Sequence, residues 1–196
     1  MAQLNLVQRK ILTMHNEFYG TRYQPATGSN SDQHVLTHKM CHLLKYVGIT
    51  PGNYVFSLDR YGAYSEGLQA DILRMDYNAD SVQKFYESFD EEQVFSGDWR
   101  QGSLFSKYEK ERITLVAKQL GIDEKRQDGQ RRWMELLSTL AELKNSVLLG
   151  ATRDQIESSL KALKKEQNYQ SDEILNAWER LEQAGIFSND GEIVSQ

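Results

Sequence analysis

The chain has 196 residues, 39% of them hydrophobic and 26% charged, with a formal net charge of −5. That length suits one domain or two small halves sharing a core, and no apolar run approaches the roughly 20 residues that span a bilayer. Cys41 is the only cysteine, which excludes an intrachain disulfide and a multi-cysteine zinc site and suits a reducing cytoplasm.

Residues 1–5 lack the basic and apolar regions of a secretory leader, so a cytoplasmic protein is expected. Leu4, Val7, Ile11, Met14 and Phe18 recur at helical spacing and predict a helix over residues 4–18. Gly20, Pro25 and Gly28 break it into a loop over residues 19–33. Leu36, Met40, Leu43, Leu44 and Val47 mark the core face of a second helix, stopped at Gly48. After a turn at residues 50–53, the segment 54–58 favours a strand.

The stretch Arg60-Tyr61-Gly62-Ala63-Tyr64-Ser65-Glu66-Gly67-Leu68 then forms a tight strand-to-helix turn. Gly62 can take a positive φ at little cost. Ser65 is a good N-cap, with Glu66 suited to the positive helix end. Leu68, Ile72 and Met75 carry the helix that follows, and a shorter helix is expected over 81–89. Residues 90–92 read as an acidic loop. The second half is helical, with long amphipathic segments over 103–120 and 131–149. The second of these carries Trp133, Leu136, Leu137, Leu140, Leu143 and Val147 in one stripe. Thr152 to Gln155 is a capping box, and Ser171 is expected to cap the last helix, ended by Gly185. Residues 186–194 suit a small hairpin around Asn189-Asp190-Gly191.

Tyr61-Gly62-Ala63-Tyr64-Ser65, with Leu68 and Asp71, resembles the "YGPYS…L…D" turn of the YwgA-like proteins, which are distantly similar to the SocA-like Panacea domain of antitoxins. Residues 39–48 resemble that family's first long helix, and residues 135–144 and 172–181 its C-terminal helices. Ala63 stands where the family commonly has Pro, and the lead-in "G-R-x-K-L-Q-K" is replaced by residues 29–38. The resemblance implies a mainly α fold. Residues 1–100 would form a winged-helix-like half with a small antiparallel wing, and residues 101–196 a helical half packed on it. The motif residues Tyr61, Gly62, Tyr64 and Ser65 look structural, and no catalytic residue is carried over.

His34, His38 and His42 are the most chemical-looking group. On a helix they lie within about 80° of one another, opposite the apolar stripe. An i, i+4 His pair can chelate zinc, but the zincin Glu is absent and a further ligand would have to come from Asp32 or His15. A solvated or interface face is the plainer reading, so no metal or other cofactor is expected. Tyr54, Phe56, Tyr61 and Tyr64 could stack on bases, but packing of the strand and turn onto helices is the simpler account. Cys41 and His42 point about 100° apart on a helix, which argues against a dyad. No Walker A, G-x-G-x-x-G, H-E-x-x-H or G-x-S-x-G pattern occurs.

Candidate nucleic-acid or partner contacts are Lys39, Arg60, Lys125, Arg126, Arg131 and Arg132. Asp71, Asp76, Asp80, Glu87, Asp90, Glu91, Glu92 and Asp98 form an acidic segment suited to a basic partner. A non-enzymatic interaction protein is therefore expected: an antitoxin-like or regulatory component binding a protein partner, such as a co-encoded toxin or effector, in a toxin–antitoxin or phage-defence locus. The alternatives are a winged-helix DNA-binding regulator, disfavoured by the charge balance, and a metal-dependent hydrolase or nuclease using the His face.

Overall fold

The computed structural model describes residues 3–26, 32–59, 62–98, 103–124 and 127–187. The chain is mainly helical with one two-stranded antiparallel sheet among these residues. Helix α1 (Leu6–Tyr19) opens with a capping box between Asn5 and Gln8 and stops at Gly20 in the left-handed region. Helix α2 (Asp32–Lys45) is already formed ahead of Leu36, the first residue of its predicted apolar face. Strands β1 (Ser57–Asp59) and β2 (Gly62–Tyr64) pair with Ser57 opposite Tyr64. The predicted strand at 54–58 is thus shorter and later. Its period-2 pattern is nonetheless real, since Tyr54, Phe56 and Leu58 are half-buried while Val55, Ser57 and Asp59 are exposed.

Helix α3 (Glu66–Tyr77) is capped by Ser65, whose side chain accepts from the Leu68 N–H. Helix α4 (Ala79–Glu87) follows, and the expected acidic loop is instead a one-turn helix α5 (Glu91–Val94) capped by Asp90. Helices α6 (Lys107–Gln119), α7 (Gln127–Glu142), α8 (Arg153–Leu163) and α9 (Ser171–Gln183) complete the described fold. Gln170, not Ser171, occupies the N-cap of α9, and the Ser171 hydroxyl donates to Glu157 instead. The hairpin expected around Asn189 lies outside the described residues.

Helices α2 and α7 pack against each other at the centre. Helix α1 packs on α6 and α2, β2 lies on both α2 and α7, and α9 packs on α7 and α6. The apolar core therefore draws on both halves of the chain, from Ile11 and Met40 to Leu137 and Leu181. The stripe along α7 holds as far as Leu143. There the helix widens into a π turn (Leu143–Val147), and Val147 comes out 52% exposed. One extra residue in the turn rotates the following positions off the core face.

Candidate functional site

The central helices are buried on their polar faces as well as their apolar ones. Every residue of α7 from Trp133 onwards is buried, including Glu135, Ser138, Thr139 and Glu142. These four recur at i, i+3, i+4 and i+7, so they form a second stripe, which faces α2 and the β hairpin. A helix buried all round is normally apolar all round, and buried polar groups persist only where they are paired.

The three histidines of α2 are paired, His34 and His38 with α3 and His42 with α7. His34, 2% exposed, places Nε2 2.5 Å from Asp76 Oδ2. Asp76 also accepts from the Tyr23 hydroxyl at 2.6 Å and the Ala26 N–H at 3.0 Å. His38 donates from Nε2 to Gln69 Oε1 and accepts the Ser65 N–H on Nδ1, with its ring stacked on Tyr64. Burial pushes this imidazole down to about 4. His42 sits 2.7 Å from Glu142 Oε2 through Nε2 and 3.1 Å from Ser138 Oγ through Nδ1. The expectation of an exposed His face opposite the core is therefore incorrect, because both sides of α2 are covered: α3, α7 and β2 close over the side read as solvent. No group of three or more potential metal ligands occurs among the described residues.

Ser138, His42 and Glu142 have the connectivity of a nucleophile, base and acid. Chemically the site is closed. Ser138 and His42 are both 0% exposed, and the His42 ring is covered edgewise by Tyr46 and Phe56. Burial first holds His42 below its ordinary value, against the pull of Glu142. Burial alone would raise Glu142, but hydrogen bonds from His42 and Tyr46 outweigh it and hold the carboxyl low. A neutral imidazole thus donates to a carboxylate and accepts from Ser138, and the trio fastens α2 to α7. A nucleophile needs an approach path for its substrate, and Ser138 presents no surface to solvent.

Lys39, expected at the surface, is also incorrectly placed by the sequence reading: it is 2% exposed and donates to the Ala63 carbonyl at 2.7 Å. Burial, the leading cause, lowers its amine to about 7. Gly62 explains the close approach. Its φ is +88°, and a Cβ there would meet Thr139 Oγ1 at 2.8 Å and Lys39 Nζ at 3.3 Å. Of the other motif residues, Tyr64 covers His38, and Tyr61 and Arg60 lie outside the described residues.

Arg131 reaches Asp32 at 2.7 Å and Glu135 at 3.1 Å. Arg132 pairs with Glu173, donates to the Gln167 carbonyl, and lies over the Tyr169 ring. Lys125 and Arg126 lie outside the described residues. The structure thus ties Lys39 and these two arginines to the chain's own acceptors. Tyr54 and Phe56 likewise serve the interior, through Asp71 and His42 respectively.

No family model, curated protein or solved structure matches the chain.

Two members of the acidic segment, Asp71 and Asp76, turn inward to Tyr54 and Tyr23. Asp80, Glu87, Asp90, Glu91 and Glu92 remain exposed on α4 and α5. Beside them lies an open groove of about 390 Å³, lined by Phe85, Phe89, Val94 and Leu104 together with Arg9, Lys84 and Asp90. Sequence reading missed Glu135, Ser138, Thr139 and Glu142 although their spacing was present, because polar residues at helical spacing look the same whether they meet water or another polar stripe.

Proposed function

We propose that the chain is a non-enzymatic interaction protein that binds a protein partner in the groove bounded by α4 and α5. The observation that carries this reading is an open groove with Phe85, Phe89, Val94 and Leu104 in its lining, edged by Arg9, Lys84 and Asp90 and with the exposed Asp80, Glu87 and Glu92 on the neighbouring helices, while the nucleophile-like trio is sealed in the core. A partner segment with apolar anchors and flanks carrying both signs of charge fits that chemistry. The antitoxin-like role, the YwgA-like affiliation and the toxin–antitoxin or phage-defence setting belong to the same proposal. So does the winged-helix-like arrangement, with its wing turned inward onto α7. DNA recognition receives less support, since Lys39 is buried and Arg131 and Arg132 are ion-paired, whereas phosphate contacts need available cations.

Co-expression with the product of the adjacent gene tests the reading. The two proteins should co-purify, and Phe89→Asp should abolish the complex while the helical circular dichroism is retained. Sequence-specific retention of upstream DNA at sub-micromolar protein and roughly physiological salt, lost in Arg131→Ala/Arg132→Ala, would make the DNA-binding regulator the better account.

A further inference from the structure

The two outer edges of the β hairpin are satisfied unequally. Ala63 stands opposite Leu58 in the ladder, and its carbonyl accepts from Lys39 Nζ at 2.7 Å. That carbonyl therefore points away from β1. Hydrogen-bonded pairs alternate along an antiparallel ladder, so Ser57–Tyr64 and Asp59–Gly62 are the bonded pairs here. Two residues beyond Ala63, the Ser65 N–H donates to His38 Nδ1. Helix α2 thus closes the outer edge of β2 with two buried side chains.

The outer edge of β1 has no such cover. By the same alternation, Phe56 and Leu58 turn their N–H and C=O groups away from β2, and neither residue has a hydrogen-bond partner on that side. Val55 beside them is 85% exposed, and Ser57 and Asp59 are exposed as well. Open edges are normally guarded by Lys, Pro or a bulge. Residues 55–58 carry neither charge nor proline, and the ladder register runs without a bulge. A sheet of only two strands is also marginal by itself.

The spacing of the free groups selects the occupant. A two-fold axis at Ser57 sets Phe56 of each copy opposite Leu58 of the other. Both pairs can then exchange N–H···O=C bonds, and every free group of Phe56 and Leu58 finds a partner. The Tyr54 N–H, already held by the Gly52 carbonyl at 3.0 Å, is not needed. On the inner face Phe56 meets Leu58. On the outer face Ser57 meets Ser57 and Val55 meets Asp59, so no like charges stand opposite each other. An isologous contact requires this kind of self-complementarity.

We propose that two copies of the chain pair antiparallel through β1, about a two-fold axis at Ser57, into one continuous sheet of order β2–β1–β1–β2. The contact is small, so the dimer is weak and concentration-dependent. Its residues are not among those lining the α4–α5 groove, which stays open in the dimer to the partner proposed above.

Sedimentation velocity on the full chain, from about 10 µM to about 1 mM, tests the pairing; a dissociation constant of roughly 0.1–1 mM is expected. Ser57→Lys and Ser57→Glu change an exposed side chain. Each alone should weaken association about fivefold, and mixing the two should restore it. The register is read by cross-linking. Across the axis the Ser57 Cα atoms lie about 4.5 Å apart in a non-hydrogen-bonded pair, within the span of a disulfide. Cys41 is buried and does not compete. Under mild oxidation Ser57→Cys should become a covalent dimer at least about tenfold faster than Val55→Cys. A chain that stays monomeric at 1 mM would overturn the proposal. So would a dimer indifferent to Ser57→Lys, which uses another surface, or Val55→Cys cross-linking as fast as Ser57→Cys.

Discussion

Replacing Gly62 by Ala tests the contact between the β hairpin and the central helices. Two costs combine. At φ +88° a side chain is strained whatever the space around it, and left-handed backbone costs an L-residue roughly 1–2 kcal/mol. The added Cβ would also lie 2.8 Å from Thr139 Oγ1. That hydroxyl cannot swing away freely, since it donates to the Glu135 carbonyl at 2.7 Å, and losing the bond costs about 1 kcal/mol. The expected total is about 2–3 kcal/mol. Gly150→Ala is the control: φ there is +76° but nothing lies within 4 Å of the new Cβ, so only the backbone cost of roughly 1–2 kcal/mol applies. Urea unfolding separates the two. With a slope of about 2 kcal/mol/M, the midpoint should fall by roughly 1–1.5 M for Gly62→Ala and by roughly 0.5–1 M for Gly150→Ala. Adding Thr139→Ala removes the obstructing oxygen, so the double variant should be less destabilised than the two single changes predict together, by about 1 kcal/mol. Equal midpoints for Gly62→Ala and Gly150→Ala, or strict additivity with Thr139→Ala, would refute the close-approach argument.

The buried histidines predict acid sensitivity. His15 and His38 are lowered to about 4 and His42 is lowered too, each chiefly by burial. Below pH 6.5 the unfolded chain therefore binds protons that the fold refuses, and stability must fall as pH falls towards 4. By pH 5 His15 and His38 each remove about 2 kcal/mol, and His42 acts in the same direction. A urea midpoint that is flat between pH 7 and 5 would show that these rings are not held neutral. Ser65→Ala should cost about 1 kcal/mol through loss of the α3 cap, read in the same unfolding assay. Partner affinity should survive in the folded variant, and a large loss there would mark the turn as a binding site.

The elements that sequence alone determined are those whose signal is local. Apolar residues at helical spacing placed α1, α3 and α7, because one periodic face must leave water wherever the chain folds. Gly62 and Ser65 were legible for the same reason: a left-handed φ and an N-cap are properties of a few neighbouring residues, and both occur as read. The fate of the polar faces was decided only in three dimensions. His34, His38, Lys39 and His42 look solvent-facing on an isolated helix. Their burial depends on Asp76, Gln69, Ala63 and Glu142, at sequence separations from 24 for Ala63 to 100 for Glu142. Arg131 and Arg132 likewise read as an available basic group until Asp32 and Glu173 are brought beside them. A polar side chain carries the same local pattern whether water or a distant partner satisfies it. Only the packing of α2 against α3, α7 and β2 selects the partner, and that turned a supposed surface into the polar interior of the molecule.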